Sequence, residues 1–462
     1  MPSIIYSQED RMRLVFVNVM ENTFNLETMS SISQPPVPLG VLATATPPEI
    51  ETALLDEQTD EMRFDGDVFG FTVTSHFASR VYRFADELRA AGKKVILGGI
   101  HVTVRPEEAL RHADAIVTGE AEEVWPTVCA DLLAGRLRPR YAGHPTTPAR
   151  MKPLDYRFFG KRRYLQPACL FATRGCNFRC SFCVSSRFHG PFRVKPLDVL
   201  EREIDQLREL HPDAFLQFTD DNLLGNRVYG AEVLALLRRK RCRFAAMVTL
   251  DQFCDRDLMR EMADSGCIGI AVGVESIDDD NCAAISKYQN LGRSVADAAR
   301  WTGECGIQVG LLLIVGLPHD TPPRLAQTLS GLHEIPCGLC DLRILRIFPG
   351  SDMYDAMLAR GEVTNAWWLG DDPLPTNHVL PNHLRVYFQH PHLSATDLQR
   401  VTLEMTRDLN RTDSEAVARI LEVGRRRGDA AFAMTALAVR ARFESDARDL
   451  LERMDATMAA TV

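Results

Sequence analysis

Three cysteines in one short segment are the residues of this chain best suited to chemistry. Cys176, Cys180 and Cys183 are separated by three and then by two residues. Thiolate sulfur is a soft ligand that suits iron–sulfur clusters. Three ligands leave one iron of a four-iron cluster with an open position, and open metal positions are where metal catalysis takes place. The spacing therefore predicts a catalytic iron–sulfur cluster.

Two other uses of these thiols are less consistent with the sequence. A structural zinc site needs four ligands, usually from two Cys-x-x-Cys pairs, and no second pair lies nearby in the sequence. A disulfide framework is typical of small secreted chains rather than of a chain of 462 residues. The cluster is therefore favoured over zinc and over inert thiols.

This segment resembles the signature of the radical S-adenosylmethionine (SAM) enzymes, which have the same spacing and an aromatic residue before the third cysteine, as Phe182 is here. The resemblance implies that Cys176, Cys180 and Cys183 hold a [4Fe–4S] cluster whose open iron binds SAM. It also implies that a donor such as flavodoxin or ferredoxin supplies one electron. SAM would then be cleaved to methionine and a 5′-deoxyadenosyl radical, which abstracts hydrogen from a small-molecule substrate.

The cysteine segment lies near the start of a region, residues 165–350, in which strand and helix patterns alternate. An apolar strand at 170–173 leads into it, and further strands are predicted at 214–218, 244–249, 268–274, 309–315 and 341–347. The resemblance implies that this region is the partial (β/α)6 barrel of the radical SAM core. In barrels of parallel strands the chemistry lies at the carboxyl ends of the strands.

Polar and glycine-containing stretches follow four of these strands, and the resemblance gives each a role toward SAM. Carboxylate and amide oxygens after the second strand would receive the ammonium group, and an acidic residue with a serine after the fourth would bind ribose hydroxyls or the methionine carboxylate. Backbone groups after the last two strands would flank the adenine. For any single carboxylate, a helix cap or a surface charge is the alternative. The residues predicted to bind SAM are Phe182, Thr219, Asp220, Asp221, Asn222, Glu275, Ser276, Gly316, Pro318 and Ile347.

The first 140 residues also alternate between strand and helix patterns, which predicts a doubly wound parallel sheet. Ligands of such sheets bind beyond the carboxyl ends of the strands, where glycines let a flat ligand approach the backbone. The stretches at 97–110 (LGGIHVTVRPEEAL) and 113–126 (ADAIVTGEAEEVWP) resemble the cobalamin-binding domain that precedes the radical SAM core in one large subfamily. The residues predicted to line a cobalamin site are Asn18, Ser75, His76, Gly98, Gly99, His101, Gly119 and Glu120.

The sequence leaves the occupancy of that domain open. It lacks the D-x-H-x-x-G motif that supplies a histidine ligand to cobalt in many cobalamin proteins. Radical SAM relatives commonly lack the motif and still bind the cofactor, so the resemblance is compatible both with bound cobalamin and with a domain that kept only the fold.

Three interpretations of the activity follow. With cobalamin, the resemblance implies C-methylation, in which one SAM supplies the methyl group through cobalt and a second supplies the radical. Without cobalamin, the same core would drive dehydration, deoxygenation or rearrangement of a polyol or aminosugar. A non-catalytic cobalamin or redox sensor is the third, and the intact cysteine triad argues against it.

The composition of the chain restricts the binding partners and the cellular compartment that we expect for the protein. A net charge of -9 argues against a nucleic-acid surface, which needs clustered Lys and Arg. No apolar run approaches the roughly 20 residues that span a bilayer. The first ten residues lack a signal-peptide pattern. Twelve cysteines without an export signal are typical of a reducing cytoplasm.

The other regions are predicted to have supporting roles. Residues 141–164 are expected to be a linker, and 351–462 a substrate wall or lid followed by a helical domain with breaks at Gly424 and Gly428. Cys337 and Cys340 form a second Cys-x-x-Cys pair. An auxiliary cluster or thiol chemistry is its less favoured interpretation, because no further cysteine pair completes a second cluster.

Overall fold

The structure is a computed structural model that describes residues 11–20, 33–370 and 374–460. The described residues form two compact units. The first comprises residues 11–20, 33–169 and 187–214, and the second comprises 170–186, 215–370 and 374–460.

The first unit is built on a six-stranded parallel sheet with strand order β2-β1-β3-β4-β5-β6. Its strands are β1 (Met12–Asn18), β2 (Ile50–Asp56), β3 (Val68–Thr72), β4 (Lys94–Gly98), β5 (Ala115–Thr118) and β6 (Arg140–Ala142). Its helices before the cysteine segment are α1 (Val37–Ala45), α2 (Ala78–Ala90), α3 (Ile100–Val104), α4 (Pro106–Ala109) and α5 (Trp125–Leu133).

The central strand β1 explains why this unit folds as a parallel sheet. It is an apolar run that is buried from Leu14 to Asn18, as a strand covered on both faces should be. Val15 pairs with Ala53 of β2 on one side and with Phe69 of β3 on the other. The strand order therefore reverses between β1 and β3, and that topological switch point is where open parallel sheets bind ligands.

The second unit contains another six-stranded sheet, with strand order β14-β13-β12-β11-β10-β7. Its strands are β7 (Cys169–Leu170), β10 (Leu216–Phe218), β11 (Phe244–Thr249), β12 (Cys267–Glu275), β13 (Gln308–Val315) and β14 (Leu339–Ile344). Two short strands and two helices lie between β7 and β10: β8 (Thr173–Arg174), α6 (Ser185–Phe188), β9 (Arg193–Val194) and α7 (Leu197–Leu210). The helices between β10 and β14 are α8 (Arg227–Lys240), α9 (Leu250–Phe253), α10 (Arg256–Asp264), α11 (Asp279–Ala284), α12 (Val295–Glu304) and α13 (Pro322–His333).

The fold class predicted from the sequence is confirmed. One strand boundary differs: the last strand of the second sheet ends earlier than the apolar pattern predicted. The strand predicted at 341–347 is β14, which stops at Ile344. Its partner β13 stops at Val315, and Gly316 turns the backbone away with a φ of 92°. An apolar run without a neighbouring strand cannot continue the ladder, although Ile347 remains buried.

The second unit ends in helices α14 (Asp352–Ala359), α15 (Pro375–Val379), α16 (Ala395–Leu409), α17 (Glu415–Arg427) and α18 (Ala430–Ala460). Gly428 ends α17 in a left-handed conformation, as predicted. The break predicted at Gly424 is wrong, because Gly424 lies inside α17. A Cβ atom there would lie 2.4 Å from Cβ of Ala433, so the glycine serves close packing of α17 on α18.

No helix in the described part of the chain combines the length and the apolar content needed to cross a membrane.

Candidate functional site

The cysteine segment begins where β8 ends, and the buried carboxylate of Asp220 holds the chain that enters it. Asp220 follows β10 and accepts hydrogen bonds from the N–H of Ala172 at 2.9 Å and from the hydroxyl of Thr173 at 2.6 Å. Hydrogen bonds to a buried carboxylate are stronger than neutral ones. The predicted SAM residue Asp220 thus directs its side chain at the protein backbone.

Two of the three cysteine sulfurs have an amide donor beside them. Nδ2 of Asn222 lies 3.9 Å from Sγ of Cys176, and Nε2 of Gln289 lies 3.8 Å from Sγ of Cys180. Gln252 donates to Oδ1 of Asn222 at 2.7 Å, which orients the Asn222 amino group toward the sulfur. Hydrogen bonds to sulfur are one of the means by which proteins tune iron–sulfur clusters. The sequence pattern pointed to Asn222 but not to Gln289, which lies more than a hundred residues from Cys180.

A buried ion pair stands beside the cysteines. Nζ of Lys287 lies 2.5 Å from Oε1 of Glu275, and both side chains are largely buried. Burial lowers the pKa of Lys287, but Glu275 and the sulfurs of Cys180 and Cys183 raise it by more, so its pKa is raised overall. Lys287 is therefore a buried cation that faces the cysteine segment, and no sequence pattern had indicated it.

The backbone is strained where it positions this pair. Glu275 has a φ of 59° at a bulge in β12, and Ser286 has a φ of 57° just before Lys287. Gly273 leaves room for both charged groups, since a Cβ there would lie 3.0 Å from Oε1 of Glu275 and 3.2 Å from Nζ of Lys287. Non-glycine residues with positive φ cost about 1–3 kcal/mol and cluster at functional sites.

The other predicted SAM residues also lie in the cysteine segment or beyond the carboxyl ends of the strands. Phe182 is partly exposed within the cysteine segment, and Thr219 donates its hydroxyl to the carbonyl oxygen of Leu170 at 3.1 Å. Asp221 is exposed and accepts from the hydroxyl of Ser185. Oγ of Ser276 accepts from the N–H of Asp278 at 3.0 Å, so it serves a turn of the protein itself.

The turn after β13 is held by a carboxylate that the sequence reasoning missed. Asp320 is buried and accepts from the N–H groups of Gly316 and Leu317 at 2.8 and 2.9 Å. Burial raises the pKa of Asp320, and these two N–H groups oppose that rise. Downstream of β14, the carbonyl oxygen of Ile347 accepts from the indole N–H of Trp367 at 3.1 Å. The backbone predicted to flank adenine is therefore fixed by side chains of the same unit.

A cavity of about 590 Å³ opens beside this turn. The cysteine segment, the turn after β13, the first helix after β14 and the stretch at 388–391 all contribute to its lining. Representative lining residues are Ser181, Gly316, Pro318, Met353, Phe388 and His390.

The surroundings of the three cysteines disfavour a free thiolate. Among the described residues, no group of three or more His, Cys, Asp or Glu side chains is placed to hold a single metal ion. Burial raises the pKa of Cys183 to about 11, and the nearby charge of Asp221 adds to the rise. Iron coordination is what favours thiolates in such surroundings.

In the first unit, His101 is part of a buried network of side chains. Its Nδ1 lies 2.9 Å from the hydroxyl of Ser75, and its Nε2 lies 3.0 Å from Oε1 of Glu108. Tyr82 donates its hydroxyl to the same Glu108 oxygen at 3.0 Å. Both ring nitrogens are thus engaged within the fold. His76, next to Ser75, is partly exposed and packs its ring near Phe77.

Two further polar residues predicted to line a cobalamin site have partners inside the first unit. Asn18 donates to the buried Asp56 at 2.9 Å, and Tyr164 donates to the other Asp56 oxygen at 2.7 Å. Glu120 accepts two hydrogen bonds from Arg193, at 2.6 and 2.9 Å. These side chains stabilise the loops at the carboxyl edge of the sheet.

The glycines at this edge are required by the protein's own backbone. Gly99 has a φ of 100°, and a Cβ there would lie 2.8 Å from the backbone nitrogen of Val73. Gly119 has a φ of 71°, and a Cβ there would lie 2.5 Å from the carbonyl oxygen of Gly143. Close contact between chain segments therefore explains these two residues without a ligand, whereas Gly98 has only ordinary contacts.

The second cysteine pair lies at the other end of the second sheet. Cys337 and Cys340 are buried where β14 begins, with their sulfurs 3.5 Å apart. The buried Arg440 donates to the carbonyl oxygen of Gly338 at 2.8 Å and to that of Leu409 at 2.7 Å. The pair is thus part of the packing of β14 against the C-terminal helices.

Comparison with known proteins agrees with this geometry. The family model described as the radical SAM superfamily matches residues 170–330. The bacteriochlorophyllide d C-8(2)-methyltransferase of Chlorobaculum tepidum is 30% identical over 349 residues, covering 71% of this chain and 77% of that protein.

Two solved structures share the fold. The radical SAM methyltransferase TsrM from Kitasatospora setae, solved with cobalamin and a [4Fe–4S] cluster, has a TM-score of 0.60 at 17% identity and covers 76% of this chain and 78% of its own. The cobalamin-dependent SAM radical enzyme OxsB, solved with aqua-cobalamin, has a TM-score of 0.62 at 13% identity. That match covers 97% of this chain and 81% of the OxsB chain. The chain therefore belongs to the radical SAM superfamily, as an enzyme of the group in which a sheet of cobalamin-binding type precedes a core that binds a [4Fe–4S] cluster and SAM.

Proposed function

We propose that this enzyme is a cobalamin-dependent C-methyltransferase that acts on a small molecule through a radical made from SAM. The observation that carries the proposal is the placement of the cysteine segment. Three partly exposed cysteines stand at the carboxyl edge of a parallel sheet, with amide donors on two sulfurs and a buried cation beside them.

Cys176, Cys180 and Cys183 would hold the cluster. The cluster, when bound, supplies the electron that cleaves SAM to the 5′-deoxyadenosyl radical. The protein's part is to bind and orient SAM and to exclude water. Asp221 and Thr219 are the side chains proposed to receive the ammonium group, because both are exposed, whereas Asp220 and Asn222 are buried. Both keep acceptor capacity: the Asp221 carboxylate also accepts from Ser185, and the Thr219 hydroxyl donates to Leu170. Glu275 and Ser276 are proposed for the ribose or the carboxylate, and the backbone at Gly316, Pro318 and Ile347 for the adenine.

The first unit would hold cobalamin, which supplies the methyl carrier when bound. The fit rests on the topology, since the carboxyl edge at the β1/β3 switch point is a ligand site in sheets of this order. Because both nitrogens of His101 are hydrogen-bonded, the side chain would not serve as a cobalt ligand. Binding would use the backbone around Ser75, His76, Gly98 and Gly119. We propose residues 1–140, 165–350 and 351–462 as the cobalamin, radical SAM and C-terminal domains, with 141–164 as linker. In the structure β6 extends the first sheet to Ala142, and the first unit also includes residues 187–214.

The substrate and the electron source follow from the same chemistry. The stretch at 351–393 contributes lining to the cavity of about 590 Å³, which supports its proposed role as a wall of the binding pocket. A reduced flavodoxin or ferredoxin is the proposed donor. An oxygen-sensitive cluster needs a reducing compartment, and the cysteines outside the triad are free thiols as well. We propose that this compartment is the cytoplasm.

The cluster half of the proposal is tested by iron content and SAM cleavage. The wild type, purified and reconstituted without oxygen, is expected to hold about four irons and to release 5′-deoxyadenosine with dithionite. A variant with Cys176, Cys180 and Cys183 changed to alanine is expected to lose both. Cys305→Ser is the matched control, because Cys305 is partly exposed like the triad but lies at the end of α12. Full SAM cleavage by the triple variant would overturn the proposal.

The methyl-transfer half is tested by the cofactor and the product. A corrinoid absorption band should remain with the protein through gel filtration after cobalamin is added. With SAM carrying a deuterated methyl group, a methylated product should gain the labelled group. Bacteriochlorophyllide d is the first substrate to try, because the C. tepidum relative is named for it. Intact SAM cleavage without any retained corrinoid would favour the cobalamin-independent alternative.

A further inference from the structure

The second sheet has one covered face and one open face. Along β13, Leu312 and Ile314 are partly exposed, whereas their neighbours in sequence are buried. Along β12, Ala271 and Gly273 are partly exposed, and Val272 between them is buried. Side chains alternate between the two faces of a strand, and a parallel sheet covered on both faces would be buried throughout. Solvent therefore reaches one face, which we call the inner face.

The inner face is turned toward the cysteine segment. A Cβ at Gly273 would lie 3.2 Å from Nζ of Lys287, the cation that faces that segment. The strand register extends the same face across the sheet, because Gly273 pairs with Leu312 and Leu312 pairs with Asp341. Asp341 and, two residues further along β14, Arg343 therefore lie on the inner face. All of these residues belong to the second unit.

Asp341 and Arg343 form an ion pair on this face. Nη2 of Arg343 donates to Oδ2 of Asp341 at 2.7 Å, and Nε of Arg343 lies 3.1 Å from the same oxygen. Burial lowers the pKa of Arg343, but Asp341 and Glu275 raise it by more, so its pKa is raised overall. The Arg343 side chain is nevertheless 42% exposed. The guanidinium is thus held by a carboxylate and is still reached by solvent.

The pair leaves one edge of the guanidinium available. Arginine carries several N–H donors in one plane. Asp341 accepts from Nε and Nη2, and no hydrogen bond from Nη1 of Arg343 is found within the described part of the chain. Because Asp341 fixes the plane of the guanidinium before any ligand arrives, little further ordering is needed on binding. Nη1 is therefore an oriented donor for an oxygen acceptor.

The charges near this donor are matched in pairs. Arg343 is paired with Asp341, and Lys287 is paired with Glu275. His383 lies near Arg343 and is neutral, because burial and the charges of nearby arginines lower its pKa. A bound carboxylate would place a second negative charge beside Asp341 and share one guanidinium with it. A carbonyl oxygen accepts the same hydrogen bond without adding charge, so the pair favours a neutral acceptor.

The residues around the pair are apolar. In the strand register, Leu312 lies beside Asp341 and Ile314 lies beside Arg343, and both apolar side chains are partly exposed. Met247, on the same face of β11, is 40% exposed. A mostly apolar wall with a few oriented polar groups is typical of small-molecule sites. The inner face therefore suits a largely apolar molecule with one polar group at Arg343.

We propose that Arg343 is a specificity-determining residue that donates from Nη1 to a neutral carbonyl oxygen of a largely apolar substrate. Asp341 is the positioning residue, which orients the guanidinium and cancels the charge that would otherwise favour a carboxylate. The inference rests on the proposed function, since it takes the inner face beside Glu275, a proposed SAM ligand, as the place where the substrate meets the radical.

The test uses two probes that share one ring system and differ in charge. 2-Acetylnaphthalene offers a ketone oxygen, and 2-naphthoate offers a carboxylate. Equilibrium dialysis measures their binding to the full chain, reconstituted with its cluster and kept without reductant. Saturating SAM keeps the probes out of the SAM site. The ketone is expected to bind the wild type about tenfold more tightly than the carboxylate.

Two variants separate the roles of the two residues. In Asp341→Asn the guanidinium loses its counter-charge, so 2-naphthoate is expected to bind about tenfold more tightly than to the wild type. Asp341→Asn combined with Arg343→Met leaves neither charge of the pair, and 2-acetylnaphthalene should bind about tenfold more weakly. The matched control is Asp429→Asn with Arg243→Met, since that pair has similar exposure but lies at the start of β11. The control should bind both probes as the wild type does.

Several results would overturn the proposal. They are no binding of the ketone to the wild type, a wild-type preference for the carboxylate, unchanged ketone binding in the double variant, and an unchanged preference in Asp341→Asn. If a variant does not fold, photo-crosslinking of the wild type with benzophenone, an apolar ketone, takes its place. Label on β13 or β14 is then expected, and label only elsewhere would refute the site. Failure of SAM cleavage would instead overturn the proposed function, because probe binding needs no turnover.

Discussion

The carboxyl edges of the two sheets use their polar residues in different ways. In the second unit, Asn222, Gln289 and Lys287 all face cysteine sulfurs. In the first unit, His101 and Glu120 are hydrogen-bonded to other residues of the same unit. Both edges are sites where parallel sheets bind ligands.

The difference indicates two kinds of cofactor site. An inorganic cluster needs covalent ligands and nearby donors, so its site must be built from side chains. A large organic cofactor is held by shape and backbone, so the polar side chains around it are free to stabilise loops. The predictions below test whether this contrast holds, from the largest expected effect to the smallest.

The buried ion pair gives the sharpest test of the second unit. Lys287→Met leaves the Glu275 carboxylate buried without its partner, so the free energy of unfolding is expected to fall by about 3–5 kcal/mol. Glu275→Gln in the same chain should recover much of the loss, because no buried charge remains. Denaturant unfolding of both variants measures this. A loss that the second substitution does not reduce would show that the pair is not coupled.

The second largest effect is expected at Asp220, which holds the chain that enters the cysteine segment. Asp220→Asn keeps the shape of the side chain but removes the charge that accepts from Ala172 and Thr173. The cost is expected to be about 2 kcal/mol, accompanied by lower iron content after reconstitution. Asp221→Asn is the matched control, since Asp221 is exposed. The role of Asp220 would be refuted if both variants took up iron equally well.

In the first unit, His101→Gln should lower the free energy of unfolding without changing the ligands of the cobalt ion in bound cobalamin. Loss of one buried hydrogen bond is expected to cost about 1–2 kcal/mol. The electron paramagnetic resonance spectrum of bound cob(II)alamin should show no nitrogen coupling from the protein, in wild type and variant alike. A nitrogen coupling that disappears in His101→Gln would contradict the proposed division between the two edges.

The smallest effect concerns the stability of the folded protein in acid. His383 is buried, and burial together with the charges of Arg343 and Arg346 lowers its pKa well below the usual value. The unfolded chain therefore binds a proton below about pH 6.5 that the folded chain does not, and stability should fall there by at most about 1.4 kcal/mol per pH unit. In His383→Leu this contribution should vanish. Identical pH profiles of unfolding for the two proteins would contradict it.

The sequence was informative about the cofactor site where the signal is local. The three candidate ligands of the cluster lie in one short loop, so the spacing of Cys176, Cys180 and Cys183 could be recognised without a fold. The strands around them are apolar runs of strand length, and their order predicted the parallel architecture. Gln289 and Lys287 carry no such signal, because they reach the cysteines only through a turn that follows a bulged strand.

Two glycines and two neighbouring carboxylates also show that a local sequence pattern does not predict which groups a residue contacts. Gly99 and Gly119 were expected to make room for a ligand, and the structure gives them neighbours in the backbone itself. Asp220 and Asp221 are adjacent and chemically alike, yet one is buried under backbone N–H groups and the other is exposed. Only the direction of each side chain from the sheet edge separates them.

The sequence by itself determined the metal chemistry and the class of fold, because both depend on residue types at short, regular spacing. The tertiary structure decided which polar groups face the cysteines and which are engaged within the protein. Those relations depend on strand register and on contacts between residues far apart in the chain, and no local pattern encodes them.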